Sequence, residues 1–317
     1  MLIDLVKILA GLGLLVVAGD LLVKGAVSLA LRLGIPALIV GLTVVAFGTS
    51  APEMMVSVAA VLDHNPGIAL GNVIGSNTAN ILLVIGIPAI ISAIRTDTTD
   101  TRESYLLLIA TSVLFILVCF MGPIRWPHAA LLLGALVLIL IRQGRQALAH
   151  RAQREEEEIE GVDVPMSLTK VALFIAIGLV GLPFGADFLV DGASSIARAA
   201  GIPDTVIGLT LVAIGTSLPE LATSVTAAVK GRADVALGNV IGSNIFNLLG
   251  IIGVAGFFGQ LDVPPTMLRL DLWVMLGATL LIAPFILHRW PFTRLVGVGF
   301  TLIYAAYVVV LMTAHAG

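Results

Sequence analysis

The stretch GLTVVAFGTSAPE (Gly41–Glu53) returns almost unchanged as GLTLVAIGTSLPE (Gly208–Glu220). A second pair, ALGNVIGSNTAN (Ala69–Asn80) and ALGNVIGSNIFN (Ala236–Asn247), lies at the same offset of 167 residues. Aligned without gaps, Gly34–Asn80 and Gly201–Asn247 agree at 26 of 47 positions. The correspondence extends upstream to Asp20 with Asp187 and to Gly25 with Gly192. Self-similarity at one fixed offset marks a chain built from two copies of one unit.

The surroundings of the repeat are those of a membrane protein. Of 317 residues, 58% are apolar and 12% charged, with a mean hydropathy of +1.08. A soluble domain carries about 25% charged residues, so most of this surface faces lipid. Ten apolar segments long enough to span a bilayer (about 20 residues) can be marked off: 2–31, 36–62, 67–93, 104–121, 127–147, 167–198, 203–229, 233–258, 268–288 and 293–314. The expected fold class is an all-α polytopic membrane protein. Residues 1–147 form a first five-helix repeat, 148–166 a cytoplasmic linker and 167–317 a second repeat. Five is odd, so the second copy enters the membrane from the opposite side, as in the inverted repeats of secondary transporters. The 2–31 segment shows no cleavage signature and reads as a first span.

Charge sets the expected orientation. With the N-terminus outside, the inner face collects Arg32, Arg95, Arg102, Arg142, Arg145, Arg151, Arg154, Lys170, Lys230, Arg232, Arg289 and Arg294. The outer face receives Lys7, Lys24, Arg125, Arg198 and Arg269, a 12-to-5 bias that puts the linker in the cytoplasm of an inner (plasma) membrane protein. The acidic run Glu155–Glu158 in the polar insert 142–164 reads as a solvated helix end or linker rather than a regulatory calcium site. The net charge of −3 points to no nucleic acid partner, and no obligate protein partner is evident; the partner is the lipid bilayer. Cys119 is the single cysteine and has nothing to pair with. His64, His128, His150, His288 and His315 fall in loops or at segment ends, which argues against a histidine proton relay.

In GTSAPE, Pro52 has no N–H and its ring clashes with the carbonyl four residues back, so the helix breaks beside Gly48. Broken helices at membrane depth are tolerated where they are buried in protein or line a watery cavity. Carbonyls around Ala46–Thr49, the hydroxyls of Thr49 and Ser50 and the Glu53 carboxylate then converge within about one turn. Ala213, Thr216, Ser217, Pro219 and Glu220 repeat the set. In the next segment Asn72, Ser76 and Asn80 form a polar stripe, with Gly71 and Gly75 as a small-residue pair for close backbone approach. Asn239, Ser243, Asn247, Gly238 and Gly242 match them.

Two carboxylates, hydroxyls, amide oxygens and carbonyls make an all-oxygen ligand set, suited to a hard cation, Ca²⁺ or Na⁺. A lone intramembrane Glu can be a neutral structural group. A pair of them, one at a break in each copy, reads as a functional site, because intramembrane carboxylates are costly. Asp20 and Asp187 are a second matched acidic pair, read first as helix-end or helix-bridging groups.

At these residues the chain resembles the cation/calcium exchanger superfamily, specifically its prokaryotic sodium/calcium exchanger type. The two signature repeats of that family read G-[ST]-S-x-P-E and G-S-N-x-x-[ND], as here. The resemblance covers the whole chain. It implies ten helices as two inverted sets of five, with helices 2 and 7 broken, and no cofactor beyond the transported ions, Ca²⁺ and Na⁺. It implies Glu53 and Glu220 as central ligands alternating between Ca²⁺ and Na⁺, with Thr49 and Thr216 giving carbonyls to Ca²⁺. Ala46, Ser50 and Ser76, with Ala213, Ser217 and Ser243, would line flanking Na⁺ sites, and Asn80 would face the centre. Position 247 is Asn where some relatives carry Asp, which leaves two formal charges at the centre and makes a potassium-dependent variant less expected. The expected function is Na⁺/Ca²⁺ antiport by alternating access, and the protein is not an enzyme. The alternatives are a H⁺/Ca²⁺ antiporter on the same fold and, from another class, an intramembrane aspartyl protease using Asp20 and Asp187. A channel would share the ligands without needing two inverted gates.

Overall fold

The computed structural model describes residues 2–96, 100–156, 166–200 and 213–314. Among them there is no strand, and the helices run α1 (Leu2–Leu33), α2 (Ala37–Thr49), α3 (Ala51–Leu62), α4 (Pro66–Ile91), α5 (Arg102–Phe120), α6 (Trp126–Glu156), α7 (Leu168–Ala199), α8 (Ala213–Thr216), α9 (Leu218–Val229), α10 (Ala233–Phe258), α11 (Met267–Leu287) and α12 (Arg294–Ala314). Eight helices are long and apolar enough to cross a membrane, and the bent pair α2–α3 makes up to nine. The other predicted segment, 203–229, lies partly outside the described residues. The chain is a multi-pass membrane protein.

Exposure sorts the helices into a centre and a surround. The most apolar stretches of α4 and α10 are 78% and 83% buried, against 22% for α1 and α12. A helix that is apolar all round is an interior helix, and these two carry the GNVIGSN stretches. Each has its regular winding relaxed at the same place in the repeat. α4 is interrupted at 83–85, and α10 widens to a π-turn over Asn247–Ile251. Loosened turns of this kind concentrate at functional sites.

On the flank, α1 packs along α7 antiparallel. Gly11 lies against the Gly185 carbonyl and Leu189, Ala18 against Gly178 and Gly181, and Gly25 against Phe174 and Ile175. The seam residues recur every seven positions in each helix, as Gly11, Ala18, Gly25 and as Gly178, Gly185, Gly192. A Cβ at Gly11 would stand 2.7 Å from the Gly185 carbonyl oxygen, so the two backbones touch where lipid offers no hydrophobic drive and close packing must hold them. Lys7 closes one end of the seam with a 2.6 Å ion pair to Asp191.

Two short backbone bridges tie loops at opposite ends of the bundle. Ile94 exchanges hydrogen bonds with Phe292 (3.1 and 3.0 Å), and Ile124 exchanges them with Leu261 (2.8 and 2.9 Å). Leu261 is Ile94 displaced by the repeat offset of 167, so each bridge joins one copy to the other. The end carrying Ile94 also carries Arg102, whose guanidinium donates to the Leu287 carbonyl at 2.8 Å.

One expectation changes. Lys24 was assigned to the face opposite Lys230, yet both pair with Asp20. The cause is the length of α1, 32 residues or about 48 Å at 1.5 Å each, which carries Lys24 far along toward the end where Lys230 lies. The bias becomes 13 to 4. The first part of the polar insert is helical, since α6 continues to Glu156. Residues 157–165, which include Glu157 and Glu158, lie outside the described residues, as does His315.

Candidate ion-binding site

Pro52 breaks its helix as expected. α2 ends at Thr49, Ser50 leaves helical geometry (φ −85°, ψ 7°), and α3 resumes at Ala51 with a 44° bend. Ser217 repeats the break (φ −87°, ψ 3°) between α8 and α9. Each break delivers one carboxylate to the interior, and Glu53 and Glu220 are both 0% exposed.

The two copies meet at these carboxylates. Ser50 Oγ donates to Glu220 Oε1 at 2.9 Å, and Thr49 Oγ1 donates to Asn239 Oδ1 at 3.1 Å. Ser217 stands beside Glu53, and Ser243 beside Glu220, yet neither hydroxyl makes a hydrogen bond of good geometry. The two carboxylates lie within electrostatic reach of each other. Asn72 donates to the Glu53 carbonyl (3.1 Å) and to Ser57 Oγ (3.0 Å). Asn239 does the same for the Glu220 carbonyl (3.3 Å) and Ser224 Oγ (3.2 Å). These two amides fix the start of α3 on α4 and of α9 on α10. Asn72 therefore braces the broken helix, whereas Ser76 and Asn80 continue the stripe inward, 4% and 0% exposed.

The centre holds a cluster of polar atoms without protein partners. Glu53 Oε1 and Oε2, Glu220 Oε2, Ser217 Oγ, Ser243 Oγ, Asn77 Oδ1, Asn80 Oδ1 and both amide atoms of Asn247 are buried with no hydrogen bond. Buried polar groups are otherwise satisfied almost without exception, and a buried carboxylate without a counter-charge costs several kcal/mol. All but one of these atoms are oxygens, and a cation is the species that satisfies oxygens from several directions at once. Among the described residues no three His, Cys, Asp or Glu side chains gather as a metal site, so neutral oxygens must complete any coordination here.

Of the other predicted positions, Ala46 is fully buried and Thr49 is 1% exposed, while Thr216 is half-buried. The side chain of Ala213 lies outside the described residues. Gly238 and Gly242 do admit a neighbouring backbone: a Cβ on Gly242 would come within 2.5 Å of the Leu42 carbonyl. No described atom comes within 4 Å of a Cβ at Gly75, and the repeat counterpart of Leu42, Leu209, lies outside the described residues. Asp20 is paired with Lys24 (2.8 Å) and Lys230, and Asp187 is exposed. With its carboxylate held by two lysines, Asp20 is no half of an aspartyl protease dyad. Sequence spacing missed Asn77 and Asn244, which sit one position off the stripe, and Ser57 and Ser224. All four repeat at the offset of 167, which was the available signal.

A multi-pass helical bundle with paired intramembrane carboxylates among neutral oxygens defines a cation transporter, not an enzyme. The chain belongs to the sodium/calcium exchanger protein family, whose description it matches over residues 4–144 and 170–313. It is 33% identical to the sodium/calcium exchanger MaX1 of Methanosarcina acetivorans over an alignment of 349 positions, gaps included, that covers 98% of each chain. It is 34% identical over 301 residues, 92% of this chain and 91% of the other, to the inner membrane protein YrbG of Escherichia coli. Among solved structures it is similar to the sodium-calcium exchanger NCX_Mj soaked with zero Na⁺ and Ca²⁺, with a TM-score of 0.84, 33% identity and coverage of 98% of this chain and 99% of that one. Ca²⁺ and Na⁺, the ions this family carries, fit the hard, all-oxygen donors of the site.

Proposed function

We propose that the protein exchanges Na⁺ for Ca²⁺ across the inner (plasma) membrane by alternating access, with Glu53 and Glu220 as the shared ligands. The observation that carries this reading is the number of neutral oxygens left unpartnered around the two carboxylates. The two carboxylates alone would serve to carry protons, whereas Ser217, Ser243, Asn80 and Asn247 add neutral oxygens that Ca²⁺ takes in either reading and that Na⁺, unlike H⁺, also needs. The names of MaX1 and NCX_Mj as sodium/calcium exchangers support the same choice.

In this reading Thr49, Thr216, Ala46, Ala213, Ser50, Ser76, Ser217, Ser243, Asn80 and Asn247 complete the ion seats. One Ca²⁺ and a full Na⁺ load compete for the same two carboxylates, so occupancy by one expels the other. The chain divides into inverted repeats at 1–147 and 167–317, joined by the cytoplasmic linker 148–166, with the N-terminus outside. Bridges between the copies support that division, as does the bias of 13 basic residues to 4. Helices α1 and α7, joined along their glycine seam, move against the core of α4 and α10.

The experiment is ⁴⁵Ca²⁺ uptake into proteoliposomes with an imposed Na⁺, K⁺ or pH gradient. Uptake driven by the Na⁺ gradient alone is expected. Uptake driven by pH without Na⁺ would replace the reading with H⁺/Ca²⁺ exchange. More than two Na⁺ per Ca²⁺ would move net charge, worth about 2.3 kcal/mol per 100 mV, so a clamped potential then shifts the rate.

A further inference from the structure

Four asparagines of the GSN stretches meet at the centre, and only two of them are candidate ligands. The other two, Asn77 and Asn244, are locked to each other. Asn77 Nδ2 donates to the Asn244 carbonyl at 3.1 Å, and Asn244 Nδ2 donates to the Asn77 carbonyl at 3.2 Å. They are one and the same position in the two copies, both 1% exposed. This reciprocal pair fastens α4 to α10 through main-chain acceptors, so it cannot turn without breaking both bonds.

The lock leaves each side-chain oxygen free for a second task. Asn244 Oδ1 accepts from Asn80 Nδ2 at 3.0 Å, and Asn80 Oδ1 then stands buried with no partner. An amide has a cation-binding end and a cation-repelling end of nearly the same shape. Occupying Asn80 Nδ2 on Asn244 decides that the oxygen is the end left for the ions. In the other copy the equivalent bond, Asn247 Nδ2 to Asn77 Oδ1, is not made, and both of those atoms are without partners. One ligand amide is thus keyed and its counterpart is not.

We propose that Asn244 is a positioning residue that orients the amide of Asn80, so that oxygen rather than nitrogen meets the ions. The inference rests on the reading that Asn80 lines the ion site. It gives Asn80 a requirement that a carboxylate at that position would not have. A carboxylate offers oxygen whichever way it turns, whereas an amide must be held.

The test is Ca²⁺ binding by calorimetry on the purified full chain, for Asn244→Ala, Asn80→Asp and the two combined. Asn244→Ala is expected to weaken binding three- to tenfold, roughly the worth of one buried hydrogen bond. In the Asn80→Asp background, removing Asn244 should cost clearly less, because the Asn244 oxygen there faces a carboxylate that has no N–H and only the lock to Asn77 is lost. An equal loss in both backgrounds, as mere packing would give, overturns the proposal. If Asn244→Ala does not fold, Asn244→Asp keeps the acceptor and the size while giving up the donor to the Asn77 carbonyl, and Asn77→Asp gives up the matching donor without touching Asn80. Asn244→Asp should bind Ca²⁺ at least as tightly as Asn77→Asp, and weaker binding than Asn77→Asp would overturn the orienting role. Glu53→Gln in the same series separates the two levels. Unchanged binding there removes the ion-site reading itself, while lost binding together with equal losses in both backgrounds removes only the role of Asn244.

Discussion

Ser50 donates a 2.9 Å hydrogen bond to Glu220, a residue 170 positions away in the other copy, while its counterpart Ser217 stands beside Glu53 without a bond of that geometry. The sequence repeat is symmetric at these serines and the structure is not. The hydrogen bond that Glu220 accepts from Ser50 comes from the other copy, so the two halves share the site.

That asymmetry sets unequal costs for two equivalent substitutions. Without ions, Ser50→Ala leaves Glu220 short of a buried hydrogen bond, worth about 1 kcal/mol or more. Ser217→Ala removes a hydroxyl that stands beside Glu53 without a bond of good geometry, and should cost less. Thermal unfolding in ion-free detergent solution checks this, and equal losses would mean that the Ser50–Glu220 bond does not form.

The α1–α7 seam makes a prediction within two residues of one helix. Gly11→Ala drives a methyl to 2.7 Å from the Gly185 oxygen and the Leu189 nitrogen, both backbone atoms. Forced overpacking of this kind costs about 1–3 kcal/mol. Gly13→Ala meets no described atom within 4 Å and should be neutral within about 0.5 kcal/mol. Comparing the unfolding of the two variants tests whether α1 and α7 travel as one body. Equal stability of both would contradict the close seam.

Sidedness can be read with single cysteines. Asp100 lies at the Ile94–Phe292 end and Asp262 at the Ile124–Leu261 end, both exposed, and the native Cys119 is buried. With an impermeant thiol reagent, Asp100→Cys should label only from the cytoplasmic side and Asp262→Cys only from the opposite side. Labelling of both from one side would break the proposed topology.

Much of the fold was legible because its signals are local. Segment length, the proline in each GTSxPE turn and the repeat at 167 residues each act within one helix or between identical stretches. The broken helix at Ser50 and the burial of Glu53 and Glu220 follow directly from them. Lys24 was misplaced because hydropathy marks where a segment is apolar, not how far a 32-residue helix carries its end residues. Asn77 and Asn244 were passed over because i, i+4 spacing finds one face of one helix. Their role depends on a second helix arriving at a particular register, which no single-helix pattern contains.

The account turns on two carboxylates sharing one ion. Glu53→Gln and Glu220→Gln each keep the shape and one oxygen while removing a charge, and Ca²⁺ depends on that charge more than Na⁺ does. Calorimetric titration of Ca²⁺ into each purified variant is the direct measurement, with Asp20→Asn as the comparison, since Asp20 pairs with Lys24 and Lys230 away from the site. Both glutamine variants should lose Ca²⁺ binding to a similar degree while remaining folded, and Asp20→Asn should bind as the unaltered chain does. Unaltered Ca²⁺ affinity in Glu53→Gln or Glu220→Gln would contradict the central claim.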